Sequence, residues 1–429
     1  MEGPSRRSFL AGALGIAGLA AAGALSGCAP SVSVSANPDV LTLWYWNLSI
    51  ADSLLAKARR RIPGTDRRLE VDKIGGNFDV KLRTSLAGRA FIPDVSALNS
   101  NVNTYFPLED QFVDMNELGA DRYRDQYLDW KLALGVTSTG RQCFWPMDTG
   151  PTALWYRRDI WDKAGLDGDP DAVTAAMTDW DAWIETGKQL RKNTNASIII
   201  SAQQAYNAVL GASAERYFAK DGTRLYDKEG SAVRKAWDVA VKASRAHVTQ
   251  KAYTDTEKNS SLSAGHTVSN VEAVWWGPQL QAAAPHQSGK WGVAHQPGPP
   301  GNNGGSFLTI PKTSKDPEAA FALITWLTSP ENQVVTYEES QLFPSTPDSF
   351  RSIKPDAPNK FCGGQPITQT FVEAAKEVPT TFISPYESAV GDGINLQLTN
   401  IETQGKDPDR AWDDAMAQAD RQLKKKGLI

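Results

Sequence analysis

The order of segments between Leu41 and Leu98 constrains the fold of this chain more than any other feature. Leu41-Thr42-Leu43-Trp44-Tyr45-Trp46 is a short apolar run of β-favouring residues, and a helical pattern follows from Asp52 to Arg61. Leu69 to Ile74 alternates and breaks at Gly75-Gly76, Phe78 to Leu86 has helical spacing, and Pro93 to Leu98 is a third strand-like run. Strand and helix periods alternating across short polar joints predict a parallel α/β sheet. In open sheets of this kind solutes bind beyond the carboxyl ends of the strands. Those ends carry Trp46 and Asn47, then Asn77 after the glycine pair, then Asn99 and Asn101. Amides both donate and accept hydrogen bonds, which suits the mixed hydroxyls of a sugar. The same asparagines also fit local turn capping. Trp44 and Trp46 share a strand face, with Trp44 predicted to be buried and Trp46 better placed for a ligand.

Further along, Ala153 to Tyr156 reads as a strand, Arg158 to Ala164 as a helix ending at Gly165, and Asp179 as the acidic start of another helix. Ser231 to Arg245 is an amphipathic helix. Val271 to Trp276 reads as a strand running into Gly277-Pro278, which puts Trp275 and Trp276 at its end. Neighbouring strand residues face opposite ways, so one of the pair is predicted to face ligand and the other the core. His295 to Gly305, rich in Gly and Pro, reads as the most flexible loop. Phe307 to Ile310 is a strand, Glu318 to Leu327 a helix, and the C-terminal third is largely helical, ending in a basic tail from Arg421 to Lys426.

The N-terminus carries Arg6-Arg7 before Phe9-Leu10, then a small apolar stretch from Ala11 to Leu25. This is the pattern of a twin-arginine export signal. A membrane-spanning helix wants about 20 strongly apolar residues, whereas this stretch is rich in Ala and Gly. Leu25-Ser26-Gly27-Cys28 resembles the bacterial lipobox, so Cys28 is predicted to be acylated and to hold the protein at the outer face of the cytoplasmic membrane. Residues 29–37 read as a polar tether.

Three cysteines exclude a disulfide scaffold, and with Cys28 lipidated, Cys143 and Cys362 either pair or remain buried thiols. The net charge is −4 with no basic stripe, which argues against nucleic acid. No Gly-x-Ser-x-Gly elbow, P-loop or His-Glu-x-x-His occurs, and His247, His266, His286 and His295 lack metal-ligand spacing. The chain is therefore expected to be neither an enzyme nor a cofactor or metal binder.

Four stretches together resemble the carbohydrate-type (family 1) extracellular solute-binding proteins of bacterial ABC importers. They are Ile92-Pro93-Asp94-Val95 with Pro107-Leu108-Glu109-Asp110; Gly140 through Leu166; Glu272 through Pro278; and Gly304-Gly305 with Ile310 through Lys315 and Trp326 through Glu331. Arg157 and Arg158 stand where the family usually has Asn-Lys, and Val274 where it has Met. The resemblance implies a two-lobed periplasmic-binding-protein-like fold (type II), with the ligand in a cleft between α/β lobes joined by hinge crossings. Lobe 1 would be residues 38–147 plus 297–329 and lobe 2 residues 148–296 plus 330–429. It further implies a monomer that captures a mono- or oligosaccharide, closes around it, and delivers it to ABC permease subunits with a cytoplasmic ATPase. By family position Trp275 and Trp276 fall in the cleft, as does Tyr386. Asp148 sits at the first crossing as a hydroxyl acceptor or a hinge element, and Gly305-Ser306 would offer backbone N–H groups to ligand. The alternative solute is a phosphorylated polyol such as a glycerophosphodiester, which would call on Arg157 or Arg158; an extracellular glycan-processing enzyme is the more distant alternative.

Overall fold

The computed structural model describes residues 37–429. The export signal, Cys28 and nearly all of the tether lie outside the described residues.

Eight strands form two sheets. The first holds β1 (Val40–Tyr45), β2 (Arg68–Lys73), β3 (Val95–Leu98), β4 (Trp145–Pro146) and, from far along the chain, β8 (Phe307–Thr309). Its order is β2-β1-β3-β8-β4. β1 is parallel to β2, with Val40 opposite Arg68 and Tyr45 opposite Lys73, and also parallel to β3. The expected parallel unit is therefore present, but β8 enters antiparallel between β3 and β4, so the sheet is mixed. The second sheet is antiparallel, β6-β5-β7, built from β5 (Thr152–Arg157), β6 (Ser269–Ala273) and β7 (Trp291–Ala294).

Alternation along β5 sends Leu154 and Tyr156 into one core and Ala153 and Trp155 into another. The first of these is closed by the helices Trp180–Thr194, Ala202–Gly211, Ala232–Arg245, Glu387–Gln404 and Pro408–Lys425. The second is closed by Ile367–Glu377 and by Phe343, Phe350 and Phe361. The first sheet packs on Asp52–Arg60 and Pro317–Leu327 around a core of its own. Each sheet thus packs on cores of its own. Local capping fixes several helix starts: Asp179 Oδ1 accepts from Ala182 N at 2.8 Å and Ser231 Oγ from Arg234 N at 3.1 Å.

Two expectations are corrected. The strand containing Glu272 stops at Ala273; Trp275 is helical (φ −62°, ψ −17°) and Trp276 opens a helix, Trp276–Ala283. Pro278 falls in that helix's first turn, where its missing N–H costs nothing, whereas a strand would need the donor. The segment His295–Gly305 is not loose. Thr152 N donates to Gly301 O (3.0 Å), Gly301 N to Thr152 Oγ1 (2.9 Å), Gly150 N to Asn302 Oδ1 (2.9 Å) and Asn303 N to Gly150 O (2.8 Å). Gln296 is pinned between Thr152 Oγ1 (2.5 Å) and Pro299 O (2.7 Å).

Candidate functional site

The carboxyl ends of β1, β2 and β3 lie along one edge of the first sheet because the three strands are parallel. Trp44 is 1% exposed, while Trp46 is only partly buried and meets the ring of Phe78 edge-on at 5.1 Å. The asparagines at this edge are exposed and partly committed locally. Asn77 Oδ1 caps the helix Phe78–Gly88 through Val80 N at 3.1 Å, and Asn99 Oδ1 accepts from Ser100 N at 2.7 Å. Asn47 Oδ1 accepts from Lys73 Nζ at 3.2 Å. Asn101 Nδ2 donates to Asp79 Oδ2 at 2.8 Å, and the Tyr105 hydroxyl donates to Asp79 Oδ1 at 3.3 Å. Trp46, Asn47, Asn77, Asn99 and Asn101 are thus gathered on one polar rim.

Asp148, Gly305 and Ser306 form a different cluster, at the segments that pass between the sheets. Asp148 is 3% exposed and its Oδ1 accepts the Ser306 N–H at 2.7 Å, so that N–H is already occupied. Facing it is Lys131, fully buried, with Nζ 3.5 Å from the Phe307 ring centroid and without a hydrogen-bond partner. Burial pulls the Lys131 ammonium below its ordinary pKa and pushes the Asp148 carboxyl above its own, each held back by the other's charge. Gly305 has φ +80°, and a Cβ there would stand 2.8 Å from both Asp148 O and Lys131 Nζ. Glycine is required by backbone conformation and by contact alike. The neighbouring Thr149 N donates to Phe343 O at 2.7 Å, tying in a third segment.

The two tryptophans at the start of helix Trp276–Ala283 differ in burial, although both line one cavity. Trp276 is 7% exposed and packs edge-on against Trp155 and Trp291, inside the core. Trp275 is partly buried, donates its indole N–H to Asn303 O at 2.8 Å, and lines a cavity of about 510 Å³. Glu272, Asn270, Gln204 and Gln279 line the same cavity. Gln204 also lines an adjoining cavity of about 230 Å³, with Asn207, Arg216, Asn302 and Asn303.

Glu272 stands between the two cavities. Its Oε1 accepts from Gln204 Nε2 and its Oε2 from Asn303 Nδ2, both at 2.7 Å. Burial pushes its carboxyl up to about 7 against these two hydrogen bonds. Arg216 pairs with the buried Glu387 at 3.0 Å, leaving Arg216 Nε and Glu387 Oε1 without partners. Tyr386, beside Glu387, lines a third cavity of about 520 Å³ together with Phe106 and Phe382. Nearby, Asn103 Nδ2 from the first lobe donates to Ser384 O of the second at 2.7 Å.

Glu272, Gln204, Asn303 and Arg216 were not singled out by sequence. For Glu272 the one available signal was a lone acid inside the apolar stretch Val271–Val274. Arg157 is held by its own neighbour Asp159, with two bonds of 2.7 Å, and Arg158 donates to Gly168 O at 3.2 Å. Cys143 and Cys362 are separate buried free thiols, and burial pushes each up to about 12. Among the described residues no group of three or more His, Cys, Asp or Glu could hold a metal ion.

Comparison with known proteins gives this geometry its setting. The family of bacterial extracellular solute-binding proteins matches residues 61–334. A lactose-binding protein of Rhizobium radiobacter is 22% identical over 388 residues, spanning 83% of this chain and 86% of that one. An extracellular solute-binding protein of family 1 superposes with a TM-score of 0.84 at 26% identity, over 89% of this chain and 99% of the other. The galacto-N-biose/lacto-N-biose I-binding protein of Bifidobacterium longum, solved with lacto-N-biose, gives 0.72 at 21% identity over 91% and 98%. The sugar-binding protein MalE of Xanthomonas citri gives 0.74 at 17% over the same shares. These last two likenesses speak for the fold, which is the two-lobed periplasmic-binding-protein architecture. The chain belongs to the bacterial extracellular solute-binding proteins.

Proposed function

We propose that this protein captures a neutral sugar, a mono- or oligosaccharide, between its two lobes and delivers it to an ABC permease driven by a cytoplasmic ATPase. The observation that carries the reading is the make-up of the wall around Glu272. There Gln204, Asn270 and Gln279 share a cavity with the partly exposed Trp275 ring, alongside Asp255 and Lys258, while Asn207, Asn302 and Asn303 line the adjoining one, whose arginine, Arg216, is paired with Glu387. A sugar offers an apolar C–H face to an aromatic ring and hydroxyls to amides and a carboxylate. The lactose-binding relative and the neighbour solved with lacto-N-biose support the same class.

The rim of Trp46, Asn47, Asn77, Asn99 and Asn101 would supply the first-lobe wall, with Tyr386 at the second lobe's margin. Asp148, Gly305 and Ser306 would serve the hinge rather than touch the solute, since Asp148 already holds the Ser306 N–H in a buried knot. Lobe boundaries near Asp148, near Gln296 and near Pro330 would put β4 and β8 in the first lobe and β5 and β7 in the second. Solute bridging both lobes would shift the molecule toward the closed form that a permease recognises. Export through the twin-arginine signal and acylation of Cys28 would keep it at the outer membrane face, acting as a monomer. A phosphorylated polyol is disfavoured because Arg157 and Arg158 are engaged with Asp159 and Gly168.

The test is thermal unfolding of the chain beginning after Cys28 against lactose, neutral oligosaccharides and glycerophosphodiesters. A solute at about 100 times its Kd adds roughly 2.7 kcal/mol to the folded state. An upward shift with one neutral sugar series, recovered unchanged, supports the reading; a shift with phosphodiesters alone overturns it.

A further inference from the structure

Glu272 sits where three pieces of the chain meet: it belongs to β6, an edge strand of the second sheet, and receives one donor from the helix Ala202–Gly211 and one from the segment that crosses between lobes. That crossing residue, Asn303, is used three ways. Its side-chain amide donates to Glu272, its backbone N–H donates to Gly150 on the other crossing, and its carbonyl accepts the Trp275 indole N–H. The following Gly304, at φ +96°, lets the indole approach so closely that a Cβ would stand 3.0 Å from Trp275 Nε1. The carboxylate, the crossing segment and the aromatic wall are therefore one connected chain of short bonds.

We propose that Glu272 is a positioning residue, a clasp that sets the Trp275 wall of the cleft through Asn303, so that the wall responds to the proton state of this carboxyl. The proposal rests on the reading of this wall as part of the solute site. An ionised carboxylate can accept both amide donors with charge-assisted bonds. Once protonated, one oxygen becomes a donor and a poorer acceptor, which favours a turn of the amide that faces it. Asn303 is the exposed one and the freer to move; its movement reaches Trp275 through the Asn303 backbone carbonyl, which accepts the indole N–H.

The surroundings put the transition in a useful range. Burial raises the Glu272 carboxyl to about 7, with Lys258 on helix Asp255–Ser263 pulling modestly the other way. Asp255 lines the same cavity, and Arg216 on the adjoining one is already paired with Glu387. The helices Ala202–Gly211 and Trp276–Ala283 contribute no charged side chain to the site.

The experiment follows the Trp275 indole N–H by NMR in the solute-free chain labelled with nitrogen-15 in tryptophan, its resonance identified by its loss in Trp275→Phe. The expected result is that this resonance moves between pH 5.5 and 8.5 with a midpoint near 7, stays still in Glu272→Gln, and moves again in Glu272→Asp. A Trp275 resonance that does not titrate in the wild type, or that titrates equally in Glu272→Gln, overturns the clasp. No solute is present, so a still resonance rejects the clasp alone, while a silent sugar panel rejects the sugar reading alone.

Discussion

At the scale of single residues, burial decides which of two chemically similar groups is structural. Trp275 and Trp276 are adjacent and identical and line one cavity, yet Trp276 is buried against Trp155 and Trp291 while the Trp275 ring stays partly exposed. Glu272 shows the same logic for charge. Its carboxyl is raised from the usual carboxylate value to about 7 because burial disfavours the anion. A raised acid binds its proton more tightly folded than unfolded, so its contribution to stability is complete below the unfolded pKa. That contribution falls as pH rises through about 7. Denaturant unfolding of the wild type should therefore lose up to about 3 kcal/mol between pH 4.5 and 7.5 from this group, and Glu272→Gln should lack that slope. Equal slopes in the two proteins would contradict the assignment. The different burial of Trp44 and Trp46 was legible at the sequence level because Trp46 stands at the end of the apolar run, beside Asn47. Glu272 was not, because nothing local tells a buried acid with two amide donors from an exposed one.

At the scale of elements, the strands and helices of residues 40–98 could be read from the chain because turn residues and periodicity act over a few positions. Two elements could not. The run Val271–Trp276 has the composition of a strand, and its switch to a helix at Trp276 is set by Pro278 in the first turn. The segment His295–Gly305 has the composition of a loose loop, and its order comes from Thr152 and Gly150 on the other crossing. The crossings also enclose Lys131 and Asp148, buried groups of opposite charge that attract each other without a direct salt bridge. Removing one of two buried, mutually attracting charges leaves the other uncompensated, at a cost of up to about 3–5 kcal/mol. Asp148→Asn, which keeps an oxygen for the Ser306 N–H, should destabilise by that order in urea unfolding. Adding Lys131→Met should restore most of the loss. An Asp148→Asn variant as stable as the wild type would show that the pair is not charged in the folded protein.

At the scale of the whole molecule, the two-lobed fold was legible from four motif stretches spread along the chain, and the solute class only as a tendency of strand ends toward Trp and Asn. The proposed site takes its other wall from Gln204, Arg216 and Glu272 of the second lobe and Asn303 of the crossing segment, residues far apart in sequence that no spacing rule connects. Cavities of this size, lined by several amides and by the Trp275 and Trp276 rings, suit a polyhydroxyl solute. The most direct check is a calorimetric titration of the chain beginning after Cys28 with lactose and a neutral oligosaccharide series, run side by side on the wild type and Trp275→Ala. The account predicts saturable one-to-one binding of a neutral sugar by the wild type and an affinity at least about tenfold weaker in the variant, as expected for loss of a stacking contact of 1.4 kcal/mol or more. Equal affinities in the two proteins, or saturation by a phosphodiester and by no sugar, would contradict it.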